Sequence, residues 1–88
     1  VQDEGGVKAP DLGTPESLRA CIAAYSELAM DNARARFDVL KALKASGATA
    51  EREALKALRA SAVEMVRAAD VLERHVILRL KALDEGRP

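Results

Sequence analysis

From residue 14 onward, apolar and polar positions alternate with the period of an α-helix, and the pattern breaks at Ser46-Gly47-Ala48-Thr49. Thr14 is an N-cap type of residue. It precedes Pro15, whose missing N–H would be unpaired in a first turn, and Glu16, which complements the positive end of the helix dipole. A helix over 15–46 is expected, ended by Gly47 in the left-handed conformation. Thr49 then caps a second helix over 50–83, with Glu51 and Glu53 in its first turns and Gly86 and Pro88 at a frayed end. A turn over 47–49 is short enough to bring consecutive helices back antiparallel. The expected fold is all-α: a long antiparallel helical hairpin over 14–85 that completes a four-helix bundle or coiled coil by oligomerisation. Residues 1–13 mix charge, glycine and proline without a period and read as a flexible leader.

In the second helix Leu55, Ala62, Ala69, Val76 and Leu83 recur every seven residues and read as the main seam. Leu58, Met65 and Leu72 fill the paired positions until Arg79 breaks the series. Val63, Val66, Ile77 and Leu80 widen one edge, whereas Val71 and Leu78 lie on roughly the opposite side. Val76-Ile77-Leu78 is apolar almost all round, which requires contacts on more than one face.

In the first helix the main seam reads as Leu18, Ile22, Tyr25, Ala29, Val39 and Leu43, flanked by Cys21, Leu28, Ala35 and Ala42. Met30, Ala33, Phe37 and Leu40 form a second edge. Asn32 and Arg36 interrupt the seam at its middle. An asparagine there is a register candidate that fixes pairing and oligomer state at a cost in stability, unless the helix drifts so that both polar residues reach solvent while Ala33 and Phe37 turn inward. Either way each helix carries more apolar surface than one partner helix covers, so the chain is expected to work by binding other helices.

Composition supports the helical reading: the hydrophobic fraction is 49%, but aromatics make up 2%, and alanine and leucine dominate. Fourteen basic residues balance 14 acidic ones, so global charge favours neither nucleic acid nor an anionic membrane. Lys41, Lys44, Lys56 and Arg59 sit near the hairpin tip, yet Tyr25 and Phe37 leave few platforms on which bases could stack, and no nucleic acid is expected as partner. The tip also repeats itself, Leu40–Ser46 (LKALKAS) returning as Leu55–Ser61 (LKALRAS), as inexpensive amphipathic heptads do. The single cysteine, Cys21, allows no internal disulfide and leaves too few soft ligands for structural zinc, which fits a reducing compartment. With no apolar run near the ~18–20 residues that cross a bilayer, and no basic-then-apolar secretory pattern, a cytoplasmic protein is expected.

Catalytic groups are not expected, nor are cofactor or metal ligands. The heptad companions of His75 are Ala54, Ser61, Ala68 and Ala82, with no carboxylate a turn away on that face, so an exposed or rim histidine is expected. Cys21 suits a small buried apolar position. Arg34 with Asp38, Asp70 with Arg74 and Glu64 with Arg67 have the spacing of solvated helical ion pairs. No Glu-x-x-His pair of the di-metal bundle kind is present. In length and turn position the chain resembles secreted WXG-type hairpins, although its turn lacks their tryptophan. In alanine- and leucine-rich composition over residues 16–83 it resembles phasin-like granule coats, without a shared motif. The expected function is a non-enzymatic assembly module, such as an adaptor, a small chaperone or a complex subunit, that homo-oligomerises or takes a helical protein partner. The alternative is a lipid- or granule-surface coat whose excess apolar surface meets a hydrophobic phase.

Overall fold

A computed structural model describes residues 12–45 and 47–87 as two α-helices folded into a hairpin, α1 (Pro15–Ala45) and α2 (Ala48–Asp84). Of the segment read as a leader, residues 1–11 lie outside the described part, as do Ser46 and Pro88. Thr14 caps α1 as its chemistry requires: its Oγ1 accepts the Ser17 amide at 3.1 Å, and the Ser17 hydroxyl donates back to the Thr14 carbonyl at 3.1 Å. The helices run far beyond a compact three-helix design. The long axis measures 57 Å, which α2 alone nearly spans at about 1.5 Å per residue.

The turn departs from expectation. Gly47 is extended (φ −117°, ψ 115°) rather than left-handed, and it acts as the N-cap of α2, which therefore starts at Ala48, ahead of the expected 50. Its carbonyl accepts the Glu51 amide at 2.9 Å, while Thr49 lies inside the first turn instead of capping it. A left-handed glycine does end α2. Gly86 (φ 76°) donates to the Leu83 carbonyl and Arg87 to the Ala82 carbonyl, the paired bonds of a Schellman stop.

The surfaces that face each other form one regular series per helix. In α1 Leu18, Cys21, Tyr25, Leu28, Asn32, Ala35, Val39 and Ala42 are half-buried or buried, at steps of three and four. The matching series in α2 is Ala54, Leu58, Ser61, Met65, Ala68, Leu72, His75, Arg79 and Ala82. This corrects the sequence reading. Leu58, Met65 and Leu72 do belong to the seam, but their partners are the Ala54–Ala82 row that read as a rim, and the Leu55–Leu83 row faces outward. In α1, likewise, Cys21, Leu28, Ala35 and Ala42 are inside, while Ile22 and Leu43 are exposed.

Register follows from one bond, Asn32 Nδ2 donating to Ser61 Oγ across the hairpin at 3.0 Å. Continuing that antiparallel register sets Ala35 opposite Leu58, Tyr25 opposite Ala68 and Cys21 opposite Leu72, small against large in these three layers, while Leu28 meets Met65 between them. Such a seam buries little. Among the described residues, Val39, Ala42 and Ala82 are the buried hydrophobics, and no side chain is fully enclosed. The chain exposes 6658 Å². A compact monomer of 9.4 kDa would expose about 5,000 Å².

Candidate interaction face

Each outward row sits one residue past an inner-seam position: Ile22, Ala29, Arg36 and Leu43 on α1, and Leu55, Ala62, Ala69, Val76 and Leu83 on α2. A two-fold axis perpendicular to the plane of the hairpin relates its antiparallel helices, so equivalent heptad positions lie on the same side. The two rows therefore form one face, in which Arg36 is the one charged member. Met30, Phe37 and Leu40 widen it along α1, and Val66, Ile77 and Leu80 along α2, with Phe37 66% and Val66 71% exposed. Near the tip it opens into a cleft of about 340 Å³ lined by Ala33, Arg36, Phe37, Val39 and Leu40 from α1 and Leu58 from α2. The opposite face carries Asp31, Asp38 and Glu64, balanced by Arg34, Lys41, Arg67 and Arg74, beside Val71 and Leu78.

The side chains expected to make contacts thus separate into three groups. Leu18, Tyr25, Leu58, Met65 and Leu72 are spent on the hairpin's own seam. Ile22, Met30, Phe37, Leu40, Val76, Ile77 and Leu80 are exposed on the apolar face, joined there by Leu43, Leu55 and Leu83, which the sequence reading had assigned to the inner seam. On the other side Val71 is exposed, whereas Leu78 is half-buried where the turn before α1 crosses α2. Gly13 makes that crossing possible. It has φ 89°, a Cβ there would meet the Leu78 carbonyl oxygen at 3.0 Å, and its own carbonyl accepts Arg79 Nη1 at 3.1 Å.

Asn32 is a seam residue: half-buried, bonded to Ser61, and accepting Arg36 Nε on its Oδ1 at 3.0 Å. The drift that would have turned Phe37 inward does not occur, because the helices keep to the seven-residue repeat. Arg36 still reaches outward, so this bond ties the one charge of the two outward rows to the polar layer beneath it. His75 is also on the seam, half-buried, with Nδ1 donating to the Val71 carbonyl at 2.9 Å, instead of at the rim. Cys21 is half-buried in the same seam.

Elsewhere the surface is ordinary. Arg34 pairs with Asp31 at 3.3 Å instead of the expected Asp38, and Lys56 with Glu53 at 3.5 Å, both well exposed. The tip repeat is not repeated in space, since Leu43 is exposed while its counterpart Leu58 lines the seam. Among the described residues no cluster of histidine, cysteine and carboxylates could hold a metal ion. No helix among them is long and apolar enough to cross a membrane. No protein-family model, curated protein or solved structure matches the chain.

Proposed function

We propose that this chain is a non-enzymatic interaction module, acting in the cytoplasm, that lends a rigid pair of helices to a larger helical assembly. The observation behind the reading is the apolar face: large aliphatic side chains lie outside the hairpin while alanine, serine and cysteine occupy much of its inside. A protein that folded for itself would bury the larger residues. Helices rather than lipid are the better match. Interfacial helices enrich lysine and arginine on the polar side to meet anionic headgroups, whereas here Arg34, Lys41, Arg67, Arg74 and Lys81 on the opposite side are matched by Glu27, Asp31, Asp38, Glu53 and Glu64, and the net charge is zero.

The test is a charge placed on that face. Leu55→Glu with Val76→Glu keeps good helix formers in both positions and adds two carboxylates to the apolar row. In cells of its source, cross-linking should capture the wild-type chain in a protein complex that the double variant does not enter. A variant that keeps every complex would contradict the proposal. So would a wild type that binds neutral vesicles and no protein.

A further inference from the structure

Resting on that reading, we infer that the apolar face packs against the same face of a second copy of this chain, with the two hairpin tips at opposite ends. Area is the first reason. The row from Leu55 to Leu83 runs about 40 Å, and two helices side by side are about 20 Å across, so the face offers on the order of 800 Å². That is about what each partner of a standard, stable interface buries. Two hairpins stacked this way form a four-helix bundle, in which Ile22, Phe37, Leu55, Val76 and Leu83 become core.

Charge is the second reason, and it sets the orientation. Along the face Arg36 and Arg59 are answered by Glu73 between Val66 and Leu80 and by Asp70 beside Ile77, so a partner of strongly opposite charge is not called for, while an identical, largely apolar face matches it. Around the tip Lys41, Lys44, Arg52, Lys56 and Arg59 outnumber Glu51 and Glu53, whereas acidic and basic residues balance at the open end over 70–87. Tips side by side would repel; opposite ends would not.

Sedimentation of the purified chain at micromolar concentration should give about twice 9.4 kDa. Leu55→Glu with Val76→Glu should give the monomer mass, and Val71→Glu, on the other face, should remain a dimer. In case the glutamate variant does not fold, cysteine labelling reads the same face without breaking it. With Cys21→Ala as background, Ala62→Cys on the apolar face should react with a thiol reagent at least tenfold more slowly than Ala60→Cys, although both alanines are exposed in the hairpin alone. Pyrene on Ala50→Cys at the tip should show no excimer emission. A wild-type monomer, a glutamate variant that stays dimeric, or equal labelling at 60 and 62 would overturn the self-pairing, and excimer emission would overturn the orientation. A wild-type monomer whose cellular complex still requires Leu55 and Val76 would leave the interaction module standing without the homodimer.

Discussion

The inner seam of this hairpin interleaves small and large side chains, whereas its apolar outer face leaves large aliphatic ones uncovered. Inside, Ala35, Ala42, Ala54, Ala68 and Ala82 share the seam with Leu18, Tyr25, Leu28, Val39, Leu58, Met65 and Leu72; outside, Leu43, Leu55, Ile77, Leu80 and Leu83 stand 44–57% exposed. Small side chains let two helices approach closely and fix their register, but each contributes little apolar area. Large ones contribute area and need a surface to cover them. On the proposed assembly the seam holds the shape, and the outer face adds apolar burial that the hairpin alone does not have.

The sharpest way to break that comparison is to truncate one leucine on each side. If the outer face is covered, Leu55→Ala should cost about 2 kcal/mol per chain, as much as Leu58→Ala on the seam, by chemical denaturation at a fixed protein concentration. If the hairpin stands alone, Leu55, already 44% exposed, should cost much less than Leu58. Enlarging an alanine makes the converse test. Ala68→Leu, facing Tyr25 across the seam, should cost about 1–3 kcal/mol through overpacking. Ala60→Leu, on the polar side, should stay within about 0.5 kcal/mol.

Two smaller effects concern how the seam is pinned. Gly13→Ala places a Cβ against the Leu78 carbonyl in a backbone conformation that L residues avoid, and should cost about 1–2 kcal/mol with little change in oligomer mass. The Asn32–Ser61 bond should show a coupling of about 0.5–1 kcal/mol in a double-mutant cycle of Asn32→Ala and Ser61→Ala, a modest value because both groups are only half-buried.

The hairpin was legible in the sequence because its punctuation is local. Thr14-Pro15, the break after residue 45 and Gly86 act through their own backbone chemistry, and the helical period between them spans many turns. Which face turns inward was not legible. Leu58, Met65 and Leu72 are flanked by two rows, Ala54–Ala82 and Leu55–Leu83, and either row completes a seven-residue repeat with them. Apolar content favoured the second row; the close approach of the helices and the Asn32–Ser61 bond select the first. The signal lay in the register instead of the repeat. Counting outward from the turn brings Asn32 to Ser61, and sets alanine opposite leucine in the layer next to it on the turn side. Gly47 misled for a different reason, since glycine permits a left-handed stop without requiring one.

The most direct test of the central claim, that a second copy of the chain completes the core of this hairpin, is the midpoint of thermal unfolding measured over a hundredfold range of protein concentration. Assembly through the apolar face predicts a midpoint that rises steadily with concentration, because a partner that binds only the folded chain stabilises it by mass action. A midpoint that stays constant across that range, with cooperative unfolding of the wild-type chain, would contradict the account.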